Sequence, residues 1–190
     1  MIRWLVLILA GFIIGGIIHL GSVLFMPRLA TNDAYARLAT LSDVNRVSQI
    51  KTVKPDEQPM PYMDPAFAVA VCRYDLSGGP IKLTLPVSQS YTSVSFYTRK
   101  DTAYYAINDR SAGRRIIELT LMTAAQHADL PEAEDITAAD RLIIDSPTTP
   151  GLIVLKALAA EPSMMDQARA ALNAGRRAAQ VEAPPGPTPA

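Results

Sequence analysis

Three hydropathic rhythms run along the chain. The first is an unbroken apolar run from Trp4 to Met26, "WLVLILAGFIIGGIIHLGSVLFM", with His19 its one ionisable side chain. As a helix this run is about 34 Å long, enough to cross a hydrocarbon core of about 30 Å. The second rhythm has a period of two. "IKLTL" puts Ile81, Leu83 and Leu85 on one face and Lys82 and Thr84 on the other. "SVSFY" sets Val94 and Phe96 against Ser93, Ser95 and Tyr97, and "IIELTL" aligns Ile117, Leu119 and Leu121. Such alternation predicts half-buried strands. With "FAVAVCRYD", "TAYYAIN", "RLIID" and "GLIVLKAL" the chain carries seven short strand signals separated by turn signals, the pattern of a mainly β, antiparallel sandwich or barrel-like domain. The continuous apolar run of "GLIVL" predicts a strand buried on both faces. The third rhythm is helical: in "SMMDQARAALNAG", Met164, Ala168 and Leu172 form one stripe, Ser163 is the expected cap with Asp166 three residues on, and Gly175 is the expected stop.

The remaining segments punctuate these rhythms. "TNDAYARLATL" predicts a short helix capped by Thr31 or Asn32, with Asp33 suiting its positive end. "VKPDEQPMPYMDP" contains Pro55, Pro59, Pro61 and Pro65 and reads as an extended connector, because proline fixes φ and removes donors. The end, "VEAPPGPTPA", has no large apolar residue after Val181 and reads as disordered. The expected organisation is an anchor over 1–27, a short helix and connector over 28–66, a β-rich domain with its C-terminal helix over 67–178, and a tail over 179–190.

The apolar run is too long for a signal peptide, and Arg28 spoils a small-x-small cleavage pattern after it, so an uncleaved single-pass anchor contacting the bilayer through residues 4–26 is expected. Arg3 before the run and Arg28 and Arg37 after it leave the charge rule nearly balanced. The two-residue arm before Arg3 favours an exported body, hence a bacterial inner-membrane protein whose bulk is extracytoplasmic. Gly11 and Gly15 form a G-x-x-x-G pair of the kind that lets membrane helices approach closely. His19 reads as a neutral side chain reaching toward the interface.

Charge and chemistry narrow the functions. With 18 basic and 18 acidic residues, no bulk attraction to nucleic acid is expected. One cysteine and two histidines are a poor supply of metal ligands, and neither a metal nor a cofactor is expected. "DLSGGPIK" resembles a phosphate loop only superficially. A strand, not a helix, follows Pro80, so the free N–H groups an anion needs are missing, and a hairpin corner fits every residue. Cys72 as nucleophile needs a base, and the exported region offers only His127; mid-strand packing is the simpler role. Asp129, Glu132, Glu134, Asp135 and Asp140 lack EF-hand spacing and read as a solvated acidic loop. No catalytic set is assigned. The tyrosines around "YTSVSFYTRKDTAYYAINDR" are the place for a ligand: Tyr97, Tyr104, Asn108 and Arg110 are the candidate lining of a pocket, against the simpler account of cross-strand tyrosine pairs on a solvated sheet.

The ordered turn signals Asp64-Pro65, Asp75-Leu76-Ser77, Gly79-Pro80, Pro86, Tyr91, Ser93-Val94 and Tyr97 resemble the bacterial domain-of-unknown-function 1254 family, well over about residues 60–125 and more loosely through the final helix. The resemblance implies a β-rich domain often accompanied, in one chain or an adjacent gene, by a companion domain of unknown function 1214. It transfers no catalytic residue. At this length a stand-alone, membrane-anchored version is expected. The leading function is then an anchored envelope protein whose body binds a partner protein, one carrying the companion domain being a candidate. The alternatives are a small-molecule or lipid binding module, or an accessory enzyme subunit, using the tyrosine region; a hydrolase using Cys72 or a serine comes third.

Overall fold

The computed structural model describes residues 1–29, 33–51, 59–113, 115–130, 142–176 and 180–181. The chain divides into two compact units, Met1–Asp33 and Ala34–Ala190. The first is one helix, α1 (Ile2–Leu29), and none of the apolar side chains of its Ile2–Met26 stretch is buried. It is long and apolar enough to span a membrane.

The second unit is a two-layer β structure, not a closed barrel. After α2 (Ala34–Ala39), the strands β1 (Val47–Ile50), β2 (Phe67–Asp75), β4 (Thr92–Thr98), β5 (Ala103–Asn108) and β8 (Pro150–Leu158) make an antiparallel sheet in the order β1-β2-β8-β4-β5. β3 (Ile81–Pro86), β6 (Ile116–Thr123), β7 (Leu142–Ser146) and the two-residue β9 (Gln180–Val181) make the other, in the order β7-β6-β3-β9, where β6 and β7 run parallel. The helices α3 (Asp109–Ala112) and α4 (Ala124–Ala128) sit between strands, and α5 (Met165–Arg176) follows β8. The alternation read from sequence is realised: Ile81, Leu83, Leu85, Val94, Phe96, Ile117, Leu119 and Leu121 all enter one core with Cys72, Tyr74, Ile153 and Leu155. β8 lies centrally between β2 and β4, with Ile153 and Leu155 in the core and Leu152 and Val154 packed with Leu38 on the other face, so its sequence is apolar on both.

Several local expectations change. "DLSGGP" is not a hairpin corner, because β2 and β3 belong to different sheets. It is an arch between layers, built on a 3-10 turn over Leu76–Gly78. Asp75 caps the turn by accepting from the Ser77 backbone N–H and hydroxyl, bonds that hold its carboxyl below the usual carboxylate range. Leu76 plugs the core, and Gly79 adopts φ 126°, which only glycine tolerates readily. Ser163 does not cap α5. It lies in a 3-10 turn over Pro162–Met164, whose cap position is Glu161, and its hydroxyl donates to that carboxylate. Ala168 and Leu172 are buried as the helical stripe requires, but Gly175 is inside the helix, where a Cβ would come 2.6 Å from Leu85 Cδ1. It permits α5 to press on β3 and does not stop the helix. β1 falls within the segment read as helix and connector, and Gln180–Val181 pair with Lys82 and Ile81 where a tail was expected. The Thr31 or Asn32 cap, Pro55, the acidic positions Glu132, Glu134, Asp135 and Asp140, and the tail beyond Val181 lie outside the described residues.

Candidate functional site

One end of the body gathers the tyrosines. Tyr74 is the penultimate residue of β2, Tyr97 of β4, Tyr104 the second of β5, Gly151 the second of β8 and Ser146 the last of β7. Tyr74 is fully buried and pairs directly with Gly151. A Cβ at Gly151 would overlap the Tyr74 hydroxyl and the Tyr97 carbonyl oxygen, so the missing side chain lets the Tyr74 ring lie across the neighbouring strand. The Tyr74 hydroxyl then meets Ser146 Oγ at 2.9 Å, the Tyr104 hydroxyl at 3.1 Å and the Tyr97 carbonyl at 3.3 Å.

The protons in this cluster have a fixed direction. Ser146 Oγ–H donates to the Thr148 carbonyl at 2.6 Å, which uses its only proton. Tyr74 therefore gives its single proton to Ser146 or to the Tyr97 carbonyl, and in either case accepts from Tyr104. The chain from Tyr104 through Tyr74 ends on a backbone carbonyl, that of Tyr97 directly or that of Thr148 by way of Ser146, and a carbonyl accepts a hydrogen bond but passes no proton on. It is a clasp joining β2 and β5 of one sheet to β7 of the other. Burial raises the Tyr104 phenol above its ordinary range, Ser146 opposes this in part, and the Tyr74 hydroxyl adds to the rise.

The four sequence candidates separate. Between Phe96↔Tyr105 and Tyr97↔Ala103 the register shifts, and Tyr104 is the extra residue of this bulge. The bulge turns both Tyr104 and Tyr105 toward Phe96, with ring centroids 6.2 and 6.1 Å away. Tyr97 packs on the opposite face of the sheet, against Leu38, Val71 and Leu152, and offers only its backbone carbonyl to the clasp. The Asn108 side chain caps α3 by accepting from Ser111 N–H at 2.8 Å, and Arg110 is exposed in that helix. Tyr104 is thus brought to the clasp, while the Tyr97 ring turns away, Asn108 caps a helix and Arg110 faces solvent.

The other reactive groups are equally placed. Cys72 points into the core, 1% exposed, and burial pushes its thiol up to about 12, so little thiolate exists at neutral pH. His127 Nδ1 lies 2.9 Å from Asp145 Oδ1 at the surface, tying α4 to β7. Ser146, the next residue, faces inward and its proton is committed to Thr148. The Asp-His pair and that hydroxyl therefore stand on opposite faces of β7.

Sequence reasoning missed Tyr74, Ser146, Gly151 and Asn45. The position of Tyr74 two residues from Cys72 was a usable signal, since the two share a strand face. Asn45, at φ 56°, imitates a strand residue: its amide donates to the Asp75 carbonyl at 3.0 Å and accepts from the Asp75 N–H at 2.8 Å. No local pattern marks that role. From sequence, His127 is a candidate base for Cys72 or a serine, and its pairing with Asp145 is not visible.

Among solved structures, one match shares this fold. The VPA0106 protein from Vibrio parahaemolyticus superposes with a TM-score of 0.53 at 10% identity, covering 77% of this chain and 35% of that one. An uncharacterized protein from Burkholderia cenocepacia gives 0.45 at 13% identity, with 63% and 33% covered. The chain thus spans about a third of the length of each. No curated protein matches the sequence. The family described as "Protein of unknown function (DUF1254)" matches residues 44–178, from the residue before Asn45 to just beyond α5, including the arch, the bulge and the clasp. The chain belongs to the DUF1254 family.

Proposed function

We propose that this protein is a single-pass, membrane-anchored member of the family whose β body, on the extracytoplasmic side of a bacterial inner membrane, binds a partner protein. The observation that carries the reading is the contrast between its parts. α1 has a 25-residue stretch with no apolar side chain buried, whereas the body closes a core of its own. Within α1, Cβ atoms built at Gly11 and Gly15 meet nothing within 4 Å, which leaves that face open for helix pairing. A protein carrying the companion domain of unknown function 1214 is the candidate partner. Site-directed photocrosslinking in intact membranes tests the reading: a discrete adduct of fixed mass, recovered from probes in the body and identified as one protein, is expected. The full chain recovered only as uncrosslinked monomer would overturn it.

A second reading rests on the directed hydroxyl chain. Because Tyr104 donates inward, its oxygen can only accept from outside, which suits a small ligand bearing a hydroxyl or amine. Ligand-detected NMR against polyols and amines, with Tyr104→Phe as control, tests it. Signals that Tyr104→Phe leaves unchanged would count against it.

A further inference from the structure

The outer face of the five-stranded sheet has its own apolar strip. Val71 of β2, Leu152 and Val154 of β8 and Tyr97 of β4 share this face, and Val71 pairs with Val154 while Leu152 pairs with Tyr97. The residues that cover it come from α2: Leu38 is buried against Val71 and Leu152, with Tyr35 alongside and Met60 from the connector. α2 has six residues, far below the roughly 12–15 at which an isolated helix becomes marginally stable. Its geometry is borrowed from contacts at its ends. The Ala34 N–H donates to Asp101 Oδ2 at 2.9 Å, and the Arg99 guanidinium lies 4.1 Å from the centre of the Tyr35 ring, both from the β4–β5 turn. At the other end Ser42 and Thr40 hydroxyls return to the Leu38 and Arg37 carbonyls. The cover is imperfect. Two residues along the same strand from Val71, Arg73 Nε is buried with no hydrogen-bond partner among the described residues, so this part of the sheet is not fully satisfied.

We propose that α2 is a displaceable strap. It lifts from the sheet as a local event, with β2 and β8 still paired, and uncovers the Val71–Leu152–Val154–Tyr97 strip. The strip's occupant in the closed state is Ala34–Ala39 of the same chain, and the strap opens well below the free energy of global unfolding. One buried leucine and a few contacts at its ends hold this six-residue helix, whereas β2 and β8 are central strands with neighbours on both sides. This device stands whether or not the body has a protein partner, and it supplies a surface that exists only when α2 is released.

The chain carries an internal reference for the test. Val71 and Cys72 are consecutive on β2, so one faces the strap and the other the sandwich core, and both are 1% exposed. In the full chain carrying Val71→Cys, reconstituted in nanodiscs, maleimide labelling is followed at both thiols by peptide mass analysis and normalised to rates in urea. The thiol at position 71 is expected to label at least about tenfold faster than native Cys72, and adding Leu38→Ala should widen the gap without changing Cys72. Hydrogen exchange on the unmodified chain gives a second measurement, with α2 amides exchanging ahead of those in β2. Equal labelling of the two thiols, Leu38→Ala accelerating both alike, or α2 amides as protected as β2 would overturn the proposal.

Discussion

At the scale of single residues, the body depends on places where one side chain must be absent or neutral. Gly151 is the sharpest. Its φ is ordinary, so conformational freedom is not the reason for glycine; the Tyr74 hydroxyl and Tyr97 carbonyl occupy the space a methyl group needs. Gly151→Ala is therefore expected to cost about 1–3 kcal/mol by overpacking, read as a lower urea midpoint with an unchanged slope, and Tyr74→Phe in the same background should recover part of it by removing the clashing oxygen. Cys72 gives a residue-scale prediction in pH. Its thiol rises from 9.0 to about 12 on folding, so the folded state holds a proton that the unfolded state has released. Its contribution is fully present below pH 9 and is lost as pH climbs toward 12. Three pH units of differential ionisation correspond to about 4 kcal/mol. The stability of Cys72→Ala, measured from pH 8 to 11, should fall less steeply than that of the parent; parallel curves would remove the thiol from the explanation.

At the scale of elements, the interlock of α5 with β3 is the contact most open to test. Gly175→Leu forces a side chain into Leu85 and should lift the last turn of α5 off β3, at a cost of about 1–3 kcal/mol. Faster hydrogen exchange in residues 170–176 and 83–85, with β8 unaffected, is the expected signature. The same elements explain what the sequence made legible. A period of two is a local property, so β3, β4 and β6 and their inward faces could be read directly from Ile81–Leu85, Val94–Phe96 and Ile117–Leu121. Sheet membership is not local. "DLSGGP" carries the residues of a hairpin, but whether the chain returns beside β2 or crosses to the other layer is decided by Leu76 entering the core and by Gln126 Nε2 donating to the Leu76 carbonyl from 50 residues away. The Tyr104 bulge is hidden for the same reason. It is a mismatch between two strands, and neither strand's sequence contains it. The candidate tyrosines were therefore found as a group, and their division between two faces of a sheet was not.

At the scale of the whole molecule, the apolar helix and the β body make opposite demands on solvent, and α1 is long and apolar enough to span a membrane. α1 exposes large apolar side chains from Ile2 to Met26, which water would drive into aggregation, while the body has few such residues on its surface. Two fates satisfy α1: permanent insertion, or removal as a leader during export. They differ in measurable ways. Insertion predicts that the mature chain keeps its full mass, stays with membranes in alkaline carbonate, and enters solution only with detergent. A tag after residue 190 should be protease-accessible from the outer side of spheroplasts, and a fused alkaline phosphatase should be active there. Ile13→Arg, which sets a guanidinium near the centre of the span at a cost of about 2.5–3.5 kcal/mol, should shift a large part of the chain out of the membrane fraction. A soluble mature form about 25–30 residues shorter would mean a removed leader, and would falsify the anchor and with it any role for the Gly11–Gly15 face. Full mass with the phosphatase inactive and the tag shielded from external protease would keep the anchor but reverse the body's side, moving the search for its partner to the cytoplasm.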